Sequence, residues 1–478
     1  MTLANLVILC LTAASYIVYS RLLTPTGFAI IGTALTCSRV CVQLLDGGVR
    51  TVLIADRRPV DRARYTAISV ALFTVSTVLI AGGAALSTIL DNQVPGIGFV
   101  LIYVVPFLLS YPLFFSSMVR LEKELRYGPI AIIEAGSVLI ELVLPALLIV
   151  RFGAGPTSFI VAAVASRLVR TFCFWLFVPP AWGRFAAVHL RDALSSLRTS
   201  LWFQYTILAN AVRDNLPILL VAPVYGTGWA GYYVWALQIC AVSSQFAVAA
   251  ASRIALPVIS GLETAESRYD VSAQQIAWLS KLLGPVLIAV WLVTPAFDIL
   301  LFDGKWSPAL ALLPWLLLRM MPGIATTILY PLVFVQFGPR WLAAVSSGWT
   351  AIEIGAALLA LWVFGPAGLA YSYALCVWLG VMLMAIKIRD RPDFSMPGLW
   401  WIVMGNRPSI AAFLAGLVIM AMAYPAAGAN AWGAAVLLLA TGTTVLLAYL
   451  LDDTLRAKLL DLAPIVRTMI VRRKRVNR

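Results

Sequence analysis

Nine charged side chains lie inside otherwise apolar stretches of this sequence: Arg39, Arg167, Arg170, Arg213 and Arg319, with Glu134, Glu141, Asp214 and Glu353. An ionised group at the centre of a membrane helix costs roughly 2.5–3.5 kcal/mol even on lenient insertion scales. Such residues therefore avoid lipid and face one another or a wet interior. Guanidinium presents a planar fork of donors that matches phosphate with paired hydrogen bonds. Five arginines against four acids thus point to an anionic, phosphate-bearing ligand. Structural pairing is the alternative for each residue: Arg213 with its neighbour Asp214, or the glutamates with other arginines, would only hold helices together. Arg39 and Arg170 also lie near enough to one membrane edge to extend toward water. The four acids are in addition the candidates for ion or proton coupling.

The spacing is helical. Gly32, Thr36, Arg39 and Gln43 share one narrow face of a helix, as do Glu134, Ser137 and Glu141. Thr206, Asn210 and Arg213 line a third helix, Ser346, Thr350 and Glu353 a fourth, and Arg319, Gly323, Thr326 and Tyr330 a fifth. Polar faces from both halves of the chain predict a shared cavity between two lobes.

Other chemistry is excluded by what the sequence lacks. Its one histidine, His189, has no second histidine or cysteine pair to complete a metal site. No phosphate-cradling glycine loop or nucleophile elbow is present. The six cysteines, Cys10, Cys37, Cys41, Cys173, Cys240 and Cys376, all fall in apolar runs, where free cysteine behaves as a small apolar residue. No catalytic residue, metal or cofactor is expected. The net charge of +14 is spread over many short loops, which argues against a nucleic-acid partner.

The elements that must position these charges follow from composition. The 478 residues are 62% hydrophobic and 12% charged, with a mean hydropathy of +0.92. The apolar runs are long enough to cross a bilayer core of roughly 30 Å as helices of about 20 residues, and only helices satisfy their backbone in open lipid without closing a barrel. Met1 to Ser20 lacks the basic start of a signal peptide and reads as the first span. Fourteen helices are predicted, over 3–20, 28–45, 66–89, 98–119, 129–150, 157–178, 199–222, 228–251, 276–297, 309–335, 341–363, 367–386, 409–425 and 431–450. The fold class is thus an all-α polytopic membrane protein.

Loop charge tests this partition independently. Alternating from a cytoplasmic loop after the second helix puts twenty-seven basic residues inside and three (Arg21, Arg151 and Lys305) outside. The asymmetry places both termini in the cytoplasm and leaves the five embedded arginines over. Outward loops are short, the longest being about a dozen residues around Asp298 to Pro308. A membrane glycosyltransferase, polymerase or ligase would need more chain outside to hold an acceptor.

Several motifs resemble those of bacterial O-antigen and exopolysaccharide flippases. Residues 22–54, from Leu-Leu-Thr-Pro-Thr-Gly-Phe-Ala to Leu-Leu-Asp-Gly-Gly-Val-Arg-Thr-Val-Leu-Ile, are similar to that family's opening. Asp214-Asn-Leu-Pro-Ile-Leu-Leu with Gly226-Thr-Gly-Trp-Ala-Gly-Tyr-Tyr, Arg253-Ile-Ala-Leu-Pro-Val-Ile-Ser and Leu301-Phe-Asp-Gly-Lys-Trp-Ser-Pro-Ala extend the likeness over most of residues 1–390. The sequence departs from the family at Val221-Ala222-Pro223, where a glycine is expected. An internal echo, Thr26-Gly27-Phe28-Ala29 against Thr227-Gly228-Trp229-Ala230, fits two lobes related by a parallel repeat.

The resemblance implies a member of the multidrug/oligosaccharidyl-lipid/polysaccharide exporter superfamily. It implies six-helix lobes over 1–180 and 181–392, two further helices over 393–450 and a basic cytoplasmic tail over 451–478. The implied activity is translocation of a polyprenyl-pyrophosphate-linked oligosaccharide across the inner membrane by alternating access. Arg39, Arg167, Arg170, Arg213, Arg319 and Asn210 become the candidate substrate contacts. Membrane lipids and other polysaccharide-assembly membrane proteins are the candidate partners. A drug or cation exporter of the same superfamily is the nearest alternative, with a glycan polymerase or glycosyltransferase and a non-transporting scaffold further off.

Overall fold

The computed structural model describes residues 2–46, 49–50, 53, 62–90, 97–124, 126–183, 205–206, 208–215, 218 and 220–389. The expected last two helices, the basic tail and His189 lie outside them. The described elements are helices, and no strand occurs among the described residues. They are α1 (Thr2–Leu22), α2 (Pro25–Asp46), α3 (Arg62–Leu90), α4 (Ile97–Lys123), α5 (Tyr127–Phe152) and α6 (Thr157–Phe177). Helical residues 208–215 and 220–225 follow. Then come α7 (Thr227–Gly261), α8 (Ala265–Phe302), the single turn α9 (Ser307–Leu310), α10 (Leu313–Phe337) and α11 (Pro339–Arg389). Seven of the described helices are long and apolar enough to cross a membrane.

Local chemistry explains where the helices start and stop. The Thr-Pro of the opening motif is a helix start: Thr24 Oγ1 accepts from the Gly27 backbone N–H at 3.2 Å, and Pro25 occupies the first helical position. α5 ends on Gly153, whose φ of 64° is left-handed, and the Ala154 N–H reaches back to the Leu148 carbonyl at 3.3 Å. α8 starts at the Thr264 cap, ahead of the apolar stretch expected from residue 276. Its first turns, Ala265 to Gln275, are polar, so hydropathy marked the apolar part of a longer helix. The expected break between residues 363 and 367 is a kink within α11 at Gly365, where φ is 66° and ψ −153°, a region open to glycine alone.

Two compact units make up the chain: Met1–Gln238 with Phe337–Cys376, and Ile239–Gln336 with Val377–Arg478. In the first, α4 packs against α2, α3 and α6, while α5 packs against α6 and α1. Leu45, Tyr65, Ile68, Leu108, Phe115, Val119 and Phe174 form the centre of its core.

In the same unit the first turns of α2 and α7 meet without room for side chains. A methyl group on Gly231 would run into the Pro25 carbonyl, and one on Gly32 into Val234. Beside them the Trp235 indole N–H donates to Ser20 Oγ at 2.9 Å, with both residues buried. The two copies of the Thr-Gly-aromatic-Ala echo therefore open the two helices that touch here.

Candidate functional site

Glu134 and Glu141 lie two turns apart on α5, and Arg167 and Arg170 one turn apart on α6, so two helices in close contact present complementary rungs. Arg167 Nη2 donates to Glu141 Oε1, and the Ser166 hydroxyl donates to the same oxygen at 2.6 Å. One turn on, Arg170 Nη2 lies 3.4 Å from Glu134 Oε1. A third element completes the group. The Arg167 guanidinium carbon stands 4.2 Å from the centroid of the Phe107 ring on α4, and that of Arg170 stands 4.9 Å from the Phe114 ring.

Each of these two arginines retains capacity. The side chains of Arg167 and Arg170 are 11% and 18% exposed, and in both the Nε is buried with no hydrogen-bond partner. A buried donor without an acceptor is costly, and an anion's oxygen is the group that would satisfy it. Arg39 on α2 joins them. It lies near Tyr16 of α1, and both lie near Tyr103 of α4, as do Arg167 and Glu141. Arg39 is exposed and has no carboxylate partner among the described residues.

Further polar contacts pin the ends of α2 and α4. The Tyr111 hydroxyl donates to Asp46 Oδ1 at 2.6 Å. Arg50 grips the buried Glu122 with two donors, Nε at 2.8 Å from Oε2 and Nη2 on Oε1. The motif that ends α2 thus carries the side chains that tie it to α4.

The remaining candidates make contacts of their own. Arg213 is sandwiched between Asp214, at 3.4 Å, Glu353 of α11, at 3.8 Å, and the Trp349 ring, whose centroid is 4.2 Å away. Thr350 Oγ1 donates to the Ala209 carbonyl at 3.2 Å beside Asn210, so the polar faces of these two helices pack on each other. Arg319 belongs to the second unit, near Cys240. The polar stripe expected on α2 divides: Gly32 and Thr36 are buried, Arg39 and Gln43 exposed.

Sequence reading missed the aromatic half of the arrangement. Tyr103, Phe107, Tyr111 and Phe114 recur every three or four residues on α4, a helical face whose regularity was the available signal. It also missed Asp298, fully buried, whose Oδ1 accepts from the Trp306 N–H at 2.9 Å and Oδ2 from the Ser307 hydroxyl at 3.0 Å. The Phe-Asp-Gly-Lys-Trp-Ser motif is accordingly the turn that starts α9. No cluster of metal-ligating side chains occurs among the described residues.

Comparison with known proteins bears on this arrangement. The family model described as polysaccharide biosynthesis protein matches residues 18–311. The lipopolysaccharide biosynthesis protein WzxC of Escherichia coli (strain K12) is 22% identical over 213 residues, which cover 44% of this chain and 42% of that protein. The match spans less than half of that relative's length. Among solved structures, a lipid II flippase, MurJ, in an inward closed conformation superposes with a TM-score of 0.70 at 11% identity, over 93% of this chain and 97% of that one. An inward-facing multidrug resistance MATE family transporter of the MOP superfamily superposes with a TM-score of 0.59 at 13% identity, over 82% and 98%. At such identities the likeness is one of fold. Together with the seven apolar helices it makes this a multi-pass membrane protein. The chain belongs to the polysaccharide biosynthesis protein family, and its fold is that of the MurJ and MATE transporters.

Proposed function

We propose that this protein is a flippase that carries polyprenyl-pyrophosphate-linked oligosaccharide across the cytoplasmic membrane for surface polysaccharide synthesis. The observation that carries the reading is the cluster of Arg39, Arg167 and Arg170, with its buried Nε donors left over after ion pairing. Pyrophosphate supplies several acceptor oxygens and negative charge, which suits forked donors. The glycan would follow into a wet interior while the prenyl tail stays in lipid. Arg213, Asn210 and Arg319 are secondary candidates for contact with the same substrate.

The architecture proposed with it has fourteen helices in two six-helix lobes, over 1–180 and 181–392, and two added helices. Both termini lie in the cytoplasm. On that topology the joined first turns of α2 and α7 face outward. The family membership and the fold shared with a lipid II flippase support transport over catalysis. A cation exporter would need acids free to bind its cargo. Here Glu134, Glu141, Asp214 and Glu353 each lie within ion-pair distance of an arginine.

Deleting the gene tests the reading. Lipid-linked oligosaccharide should accumulate in the inner leaflet and surface glycan should fall. Normal outer-leaflet levels with unchanged surface glycan would exclude a flippase.

A further inference from the structure

Two of the cations proposed to meet the substrate, Arg167 and Arg170, are already held by carboxylates. We propose that Glu141 and Glu134 occupy the positions of the substrate's phosphates in the empty site, so that pyrophosphate displaces them and each displaced carboxylate takes up a proton. This rests on the flippase reading above.

Glu141 is placed to compete with a phosphate. It accepts from Arg167 and from Ser166 on one oxygen, as a phosphate oxygen would, and one rung away Glu134 faces Arg170 alone, at 3.4 Å. The competition follows from the surrounding groups. Facing α5 are Arg167, Arg170 and Ser166 of α6, Tyr16 and Tyr19 of α1, and Tyr103 and Tyr111 of α4, with Arg39 of α2 beyond Tyr103. The Tyr19 hydroxyl is taken by the Leu142 carbonyl and the Tyr111 hydroxyl by Asp46. The nearest cations to the two glutamates are thus the two arginines that a pyrophosphate would take.

Losing its cation and gaining an anion as neighbour both disfavour the charged form of a carboxylate, which is the reason for the proposed proton uptake. The proton comes from the aqueous phase to which the site is open, and no other bond is made or broken. Substrate binding and proton uptake are then linked. Acid favours the protonated glutamate, frees the arginine and tightens binding, whereas alkali restores the ion pair and weakens it. In transport, the same exchange would return the protons to the compartment where substrate leaves.

The test uses the purified full chain in nanodiscs and a short-chain prenyl pyrophosphoryl sugar. Its diester pyrophosphate does not itself titrate near neutral pH. Calorimetry in two buffers of different ionisation enthalpy counts protons exchanged on binding. Wild type should take up about two protons, one for each displaced carboxylate, with affinity rising about a hundredfold per pH unit of acidification. Glu141→Gln should bind about tenfold more tightly at neutral pH and take up fewer protons, with Glu134→Gln giving the smaller change. Binding without net proton uptake overturns the exchange while leaving the flippase reading intact. Uptake unchanged in both variants assigns the proton elsewhere and overturns it equally. No binding by wild type removes the substrate reading and the exchange together.

Discussion

Arg213 and Glu353 show what a buried charge pair demands of its neighbours. Their side chains are 8% and 0% exposed and stand 3.8 Å apart, with Trp349 stacked on the guanidinium. Removing one member leaves the other charged in a poor solvent, at about 3–5 kcal/mol, whereas removing both can be nearly neutral. Arg213→Met should therefore lower the melting temperature in detergent markedly, and Arg213→Met with Glu353→Gln should restore most of it. Equal melting of the single variant and wild type would mean that the pair bears little load. The nine embedded charges were legible in the sequence because their apolar flanks make each one an exception. Their pairing was not. Glu141 with Arg167 and Arg213 with Glu353 join residues 26 and 140 positions apart, brought together by helix packing that no local pattern encodes. The aromatic partners Phe107 and Trp349 were hidden for a related reason, since an aromatic in a membrane helix looks like any other apolar residue.

Between elements, the contact with the most leverage is that of α2 with α7. Gly231 lets the backbone of one helix rest on the Pro25 carbonyl of the other, and small residues at such crossings allow close approach in membranes. A Gly231→Val substitution should wedge the two apart at the end proposed to face outward. A cysteine introduced at Ser20 should then react several-fold faster with an impermeant thiol reagent than in the Gly231 background. Unchanged reactivity would show that this seam does not close the outer side. Helix positions were legible to within a few residues where an apolar run ended on a turn signal, as at Gly153-Ala154-Gly155-Pro156 and at Gly365-Pro366. They were least legible at α7, which continues through Arg253-Ile-Ala-Leu-Pro-Val-Ile-Ser to Gly261, and at α8, whose polar first turns reach back to Ala265. Thr264, whose side chain accepts from the Ser267 N–H at 3.2 Å, was a readable cap that hydropathy alone passes over.

For the molecule as a whole, the proposed topology and function divide charge between two tasks. Basic loop residues would set the orientation through their asymmetry, and the few arginines inside the helices would be left for the substrate. The structure adds that those arginines are not alike. Arg39, Arg167 and Arg170 gather in the first unit around shared tyrosines, Arg213 is enclosed by acids and an indole, and Arg319 belongs to the second unit. The central claim is that the first group recognises pyrophosphate during translocation. Its most direct test is reconstitution of the purified chain into liposomes carrying a fluorescent polyprenyl-pyrophosphate oligosaccharide, with an impermeant reagent reporting the outer-leaflet fraction over time. Wild type should expose the inner-leaflet pool, and Arg167→Ala should slow that exposure at least tenfold with equal protein inserted, an expectation set by the loss of one paired, charge-assisted contact. Full activity in Arg167→Ala, or a wild-type rate equal to that of empty liposomes, would contradict it.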